Sequence, residues 1–363
     1  KDFEEVKKCG YDLWEGKYID FFKYENEKDK EMILPLQYDE ASGYCDNIQL
    51  MVGSRDHYDC WTELIPSADF VDYYRNADGS EFKWSDYLTG WDDLTPAQRE
   101  VFFLRNNLTS NQSAYNDAKS RIGAEVMNKY YLTSGNEARI KKAYESRDPR
   151  LQMAVITPYA QYNGASSGIA HTYTLRWPYR GSDSAEPFDI RTDTNDKFYY
   201  LWRKFVPEGL EQTERDTYGL DIPLIRYAEV LLLKAEALNE WGSTHESEAI
   251  RCVNEVRRRA GHVELNNATY PATKVNGQSD LRERIRNEYY WEIGGEDSMY
   301  FHELRWGTWK DKKFDNNRNG LMQMWGETTY TWYWLGDQCW SWPIPAKEME
   351  MNSNLEQNEG WIN

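Results

Sequence analysis

Five cysteines in 363 residues, at positions 9, 45, 60, 252 and 339, are too few and too scattered for a disulfide framework. No CxxC occurs, which argues against a zinc ribbon or a thioredoxin-like pair. If the protein is exported, spacing leaves a Cys45–Cys60 bridge open. Histidine is equally sparse. The five, at 57, 171, 245, 262 and 302, show no HxH or HExxH spacing, and no G-x-S-x-G nucleophile elbow is present. No run of eighteen apolar residues exists, so nothing reads as a membrane-spanning helix. Positive charge is also in deficit, with 43 Lys and Arg against 61 Asp and Glu, a net charge of −18. Such a surface argues against nucleic acid and anionic lipid, both of which need a basic face.

What the chain has instead is aromatic surface: 27 Tyr and 16 Trp. These rings join an apolar face to a polar tip and suit surfaces that are half dry and half wet, such as sugar-binding faces and protein interfaces. The densest stretch is YTWYWLGDQCWSWPIP (330–345), with Trp at 332, 334, 340 and 342.

Helical periodicity is clearest from Ile222 to Gly261. In IPLIRYAEVLLLKAEALNEWG, Pro223 fits a first turn, positions 224, 228, 231, 235 and 238 form an apolar stripe, and Gly242 follows the end. STHESEAIRCVNEVRRRAG opens on Ser243 and Glu246 at capping-box spacing, continues the stripe, and stops at Gly261. The two helices read as one tetratricopeptide-like antiparallel pair, which needs partner helices to cover its face. Further helices are expected over 2–16, 114–147 and 280–292. EMILPLQY (31–38) and MAVITPYAQY (153–162) read as extended, and NGASSG (163–168) as a flexible connector. Residues 39–100 and 169–220 carry no clean period.

Several motifs, in order, resemble the SusD/RagB family of surface glycan-binding lipoproteins. YENEKDKEMILPLQY (24–38), LIPSADFVDYYRNADGSEF (64–82), RDPRL (147–151) and RKFVPEG (203–209) come first. DIPLIRYAEVLLLKAEALNEWG (221–242), AIRCVNEVRRRAG (249–261), RERIRNEYYWEIGGEDSMYFHELRWG (282–307) and WPIPAKEMEMNSNLEQNEGW (342–361) follow. Departures are local: Tyr289 and Tyr290 stand where the family has paired arginines, Gly294 and Gly295 where it has Ala-Phe, and Met299 where it has Arg. The resemblance implies a mainly α fold of tetratricopeptide-like helix pairs with large irregular loop-rich regions and a few short strands. It divides the chain into residues 1–16, the last helix of an N-terminal helical part, a loop-rich ligand-binding region at 17–220, and a helical and C-terminal region at 221–363.

The resemblance further implies non-catalytic capture of glycans outside the cell, and their delivery, as a lid, to a SusC-type TonB-dependent transporter. It places the protein on the extracellular face of the outer membrane, lipid-anchored through an N-terminal segment of the same protein that this chain lacks. Cys9 has no apolar run before it and does not read as the acylated cysteine. A peptide-binding RagB-like role and an α-helical glycoside hydrolase are the alternatives. No cofactor is expected. DNNRNG (315–320) matches the first half of a calcium loop, but the twelfth position is Gly326 where a bidentate Glu is needed.

A sugar site wants flat aromatic faces ringed by polar side chains on loops. In this family such a site draws on the loop after the "Q-Y" strand. Here that loop is DEASGYCDNIQLMVGSRDHYDCWTELIPS (39–67), offering Tyr44, Tyr58 and Trp61 as stackers with Asn47, Arg55, Asp56, His57 and Asp59 as polar partners. Trp177 is a further candidate, with Trp84, Trp91 and Tyr179 behind it. Acidic pairs such as Asp92–Asp93 and Glu296–Asp297 do not by themselves make a glycosidase, which needs carboxyl groups about 5–9 Å apart across a cleft. In the aromatic stretch, the resemblance assigns Trp340 and Trp342 to core, and leaves Tyr330, Trp332, Tyr333 and Trp334 as ligand or partner contacts.

Overall fold

The expected helix pair forms, but its start shifts. In the structure, a computed structural model, Ile222–Arg226 is a strand, and the helix begins only at Tyr227. The cause lies elsewhere in the chain: Met32–Leu36 pairs with this segment antiparallel, setting Pro35 opposite Pro223. Proline in a two-stranded ribbon costs little, because neither N–H is needed by a further strand. The structure describes residues 2–181, 186–192, 197–212, 214–296, 298–314 and 319–362.

In chain order the elements begin with α1 (Asp2–Lys8), β1 (Met32–Leu36), α2 (Ile48–Val52) and α3 (Ala68–Asp72). The expected helix over 114–147 is three helices, α4 (Gln112–Ile122), α5 (Ala124–Tyr130) and α6 (Asn136–Glu145), broken at Gly123 and Gly135. Then come α7 (Pro149–Ala154), β2 (Val155–Ile156), β3 (Gln161–Ser166), β4 (Ile169–Thr174), β5 (Phe188–Asp189) and β6 (Leu201–Trp202). NGASSG is therefore not a flexible connector, since Asn163–Ser166 is ladder and only Ser167 and Gly168 turn. The remainder is β7 (Ile222–Arg226), α8 (Tyr227–Trp241), α9 (Glu246–Ala260), α10 (Gln278–Ile293), α11 (Ser298–Trp306), α12 (Trp309–Lys313), β8 (Gly320–Met322), β9 (Thr328–Thr331) and α13 (Ala346–Met351). The fold is mainly α with a few short strands.

Helix α1 stops at Lys8, short of the expected Gly16, because Gly10 takes φ +96° and the chain leaves helical geometry. Ser243 starts a short 3₁₀ turn and does not cap α9 through its side chain. Helices α8, α9 and α10 share one apolar core through Leu231, Leu232, Ala235, Val253, Val256, Leu281 and Ile285. Gly261 ends α9 in the left-handed conformation at φ +74°. A larger, aromatic-rich core joins α3–α7 to the strands.

Between these cores lies a water-excluded ion network. Arg226 meets Glu31 at 2.6 Å, Glu292 at 2.7 Å and Glu296 at 2.8 Å. Arg150 meets Asp148 and Glu288 at 2.7 Å and Glu292 at 3.1 Å. Arg257 joins Glu288, Arg259 joins Glu31 and Glu292, and Lys204 joins Glu296. Five cations thus face five carboxylates. Such balance matters because a buried charge without a partner costs several kcal/mol.

The C-terminal segment departs from expectation. Trp342 is 75% exposed, its indole N–H 3.3 Å from the Tyr300 hydroxyl, and Trp340 is only half-buried against Trp309 and Trp334. Neither ring is core. The segment instead closes on itself, as Gln357 bonds the backbone N–H and carbonyl of Ile344 at 2.8 and 2.9 Å.

Removing one member of the network strands the rest. Arg226→Met should lower the unfolding free energy by about 3–5 kcal/mol in urea titrations, more than an exposed Arg→Met change. Burial pushes the Glu292 carboxyl up, but Arg259, Arg226 and Arg150 outweigh it and hold it at about 2. Its folded pKa lies below the unfolded value, so this stabilisation is full above about pH 4.5 and is lost as pH falls towards 2. Thermal melts across that window should show the fall in wild type and a flatter profile in Glu292→Gln.

Candidate functional site

Ser67 caps α3 by accepting a hydrogen bond from the Phe70 N–H at 3.1 Å, and Val71 and Tyr74 bury their side chains beneath it. Arg147 holds the other end of this short helix, donating to the carbonyls of Val71 at 2.7 Å and Tyr74 at 3.2 Å. With its neighbours pinned inward, Tyr73 is left outward and 40% exposed. It stands on the wall of a cleft.

Two adjoining cavities, of about 910 and 330 Å³, share Asp69, Tyr73 and Lys312. The smaller is an aromatic box of Phe70, Tyr73, Tyr290, Trp309, Phe314 and Trp332, edged by Ser67, Asp69, Glu303 and Lys313. Its geometry is fixed by polar tips: Lys312 donates to the Tyr73 hydroxyl at 2.9 Å and lies 4.1 Å above the Tyr290 ring. Tyr290 in turn donates to Glu303. The larger cavity is more polar, bounded by Asp72, Arg75, Glu81, Lys83, Asp92, Asn287 and Asp311. Trp84 and Trp91 form part of its wall, stacked at 4.8 Å, and Asp72 accepts from the Trp84 indole at 3.2 Å. Flat rings at one end and hydroxyl-matching groups at the other fit a chain of sugar rings.

The 39–67 loop takes a different place. Of the expected site residues, Tyr44 (74% exposed), Asn47 and Trp61 (43% exposed) face solvent, and Arg55 and Tyr58 are half-buried. His57 is fully buried, 3.2 Å from the Gln212 carbonyl, and burial drives its pKa down to about 4. The Asp56 carboxylate accepts from the Arg191 N–H at 2.8 Å, and its backbone locks onto Ala165. That contact needs Gly164, where a Cβ would lie 2.3 Å from the Asp56 carbonyl oxygen. Asp56 and His57 therefore fasten the loop and offer nothing to a ligand in this arrangement. Asp59 is tied to Arg215 at 3.2 Å.

Trp177 is 6% exposed, covered by Phe198 and Trp325, and spends its indole N–H on Glu100 at 2.8 Å. Tyr179 lies under Arg191, 5.0 Å away. None of the 39–66 residues lines the cleft; the loop reaches it only at Ser67. Cys45 and Cys60 are free thiols, so the bridge left open by spacing is not formed. Asp315–Arg318 of the DNNRNG turn lies outside the described residues, as does Asp297 of the Glu296–Asp297 pair.

Among the residues lining the aromatic box, only Trp332 was expected to contact a ligand. Tyr73 and Phe70 sit in the PSADFVDYY motif, Tyr290 is one of the departures at 289–290, and Trp309 and Phe314 follow the LRWG motif. No local signal joins them.

The family model for the SusD family matches residues 14–361. A SusD-like protein P38 from Formosa agariphila is 32% identical over 139 residues, covering 38% of this chain and 24% of that protein. The starch-binding protein SusD of Bacteroides thetaiotaomicron is 28% identical over 161 residues, covering 44% and 25%. Among solved structures, a SusD-like protein from Bacteroides fragilis superposes with a TM-score of 0.61 at 21% identity, over 99% of this chain and 60% of that one. A SusD-like carbohydrate-binding protein from the same species gives 0.61 at 20% identity, over 98% and 60%. The chain thus spans about 60% of the length of these structures.

Burial raises the Asp56 carboxyl to about 6. Its folded pKa exceeds the unfolded one, so this residue costs stability as pH rises through roughly 4 to 6, and the cost persists above. Asp56→Asn, which keeps an acceptor for Arg191, should raise the melting temperature at pH 7–8. The gain should disappear below about pH 4 in scanning fluorimetry.

Proposed function

Because the chain belongs to the SusD family, we propose that it binds oligosaccharides without cleaving them, in the cleft along α3. The aromatic box around Tyr73 carries this reading. Stacking on several rings suits the C–H faces of sugars, and Asp69, Lys312 and Glu303 stand where ring hydroxyls would lie. Binding rather than hydrolysis is supported by the engagement of two of the cleft carboxylates: Asp72 holds Trp84 and Glu303 holds Tyr290. The Asp and Glu carboxyls that burial pushes up to about 6, Asp46 and Asp56, belong to the 39–67 loop and do not line the cleft.

In the same reading the protein works at the extracellular face of the outer membrane as a lipoprotein, handing its glycan to a SusC-type TonB-dependent transporter. No helix among the described residues is long and apolar enough to cross a membrane. Exposed Tyr44 and Trp61 on the 39–67 loop would then extend the ligand surface or meet the transporter.

Isothermal titration against oligosaccharides and oligopeptides separates the rival roles. Tyr73→Ala and Trp332→Ala should each weaken oligosaccharide binding roughly 2–10-fold, the equivalent of about 0.5–1.5 kcal/mol per ring contact. Trp61→Ala should change it less. Binding of oligopeptides alone favours the RagB-like role, and reducing ends released from a bound oligosaccharide would sink the binding-only reading.

A further inference from the structure

The cleft continues past its polar end. A third cavity of about 190 Å³ shares Arg75, Glu81, Glu283 and Asn287 with the 910 Å³ cavity. Arg75 stands at the junction. Its backbone is locked, since its carbonyl accepts the Asp148 N–H at 2.9 Å in the turn that also anchors α3. Its half-buried guanidinium, by contrast, has no carboxylate oxygen within 4.0 Å among the described residues.

Apart from Glu81, the other charges of this cavity are matched among the described residues. Arg257 is paired with Glu288 at 2.7 Å and donates to the Val263 carbonyl. Arg284 is paired with Asp280 at 2.9 Å and donates to the carbonyls of Ala272 and Lys274. Glu283 is taken by Arg286 at 3.1 Å. Glu81 faces solvent. Burial pushes the Arg75 guanidinium down; Glu81 is the strongest of the nearby charges and pulls it up, and the weaker Arg284 and Arg257 charges add to the downward push. A planar fork left unpaired in a cavity is matched best by a bidentate oxyanion.

Resting on the oligosaccharide reading above, we propose that the cleft takes a glycan bearing a carboxylate or sulfate group, and that Arg75 receives that group. Asn287, which lines the same two cavities, is placed to bond a neighbouring hydroxyl. The acidic groups must be isolated along the ligand. Asp69, Asp72, Asp92 and Asp311 line the rest of the polar cleft and the chain carries −18 overall, so a dense polyanion would be repelled. The fit is to neutral rings with an occasional uronate or sulfate ester.

Affinity electrophoresis of the full chain tests this with neutral arabinoxylan and galactomannan, sparsely carboxylated glucuronoxylan, and a carrageenan desulfated to occasional sulfate esters. Retardation by glucuronoxylan or carrageenan is expected, and which of them acts tells uronate from sulfate. Arg75→Met, which keeps the aliphatic stem, should weaken that retardation at least tenfold with an unchanged circular-dichroism melt, and Arg75→Lys should fall between. Inorganic sulfate should displace the acidic glycan from wild type, and chloride at equal ionic strength should not. Retardation by the neutral glycans alone, or acidic binding untouched by Arg75→Met, overturns the assignment and leaves the oligosaccharide reading standing. If no glycan binds and oligopeptides do, both fall together.

Discussion

The cleft is held from inside the protein by one guanidinium that water does not reach. Arg226, at the end of β7, meets Glu31 just before β1, Glu292 at the end of α10 and Glu296 in the turn that follows. Arg150 on α7 shares Glu292. Each of these charges depends on the others, so a slip of any one element by an ångström would leave an ion unpaired in a medium that punishes it. A balanced network of this kind adds little net stability over an apolar core of the same volume. Its consequence is register. Three residues before Arg150 comes Arg147, which grips the carbonyls of Val71 and Tyr74 and lies 3.6 Å over the Phe82 ring. The position of Tyr73 in the cleft is thereby set by charges buried behind it.

What could be read from the residues depended on whether the signal was local. The α8–α9 pair was legible because a stripe at helical spacing over fifteen residues is its own evidence. Ile222–Arg226 was misread as the first turn of that helix, since its apolar residues fit either period and its partner strand lies about 190 positions earlier. Helix α3, at five residues, is too short to show any period; only the Ser67 cap announces it. In the 39–67 loop the residue types were right for a sugar site, yet polarity does not say which way a side chain turns. His57 and Asp56 turn inward because Ala165 and Arg191 present backbone groups that the loop must satisfy.

The aromatic stretch at 330–345 does not divide between Trp334 and Trp340 as the sequence suggested. Trp332 lines the cleft, Trp334 and Trp340 pack with Trp309 beside it, and Trp342 faces solvent. A Trp before a proline-rich turn looks like an anchor, but here the anchor is polar. Gln357 closes the turn through two backbone bonds, and those leave the indoles free of that duty.

The places where the chain departs from its family's pattern turn out to shape the cleft. An arginine at position 290 would bring another cation beside Lys312, whereas Tyr290 supplies a ring beneath that ammonium and a hydroxyl for Glu303. Gly294 has a matching reason. A Cβ there would lie 2.4 Å from the Phe70 ring and 2.3 Å from the Tyr290 carbonyl oxygen. The backbone contact cannot yield, so any side chain would drive Phe70 out of its place in the box. At Gly295, with φ +85°, a Cβ would meet the Trp202 ring at 2.8 Å, and Trp202 is itself packed 5.5 Å from Phe70. The paired glycines thus give up the side chains that Ala-Phe would pack behind the helix, and the space goes to Phe70 and Trp202. Tyr290 and Gly294 therefore act together: one adds a ring to the cavity and the other admits the ring opposite it.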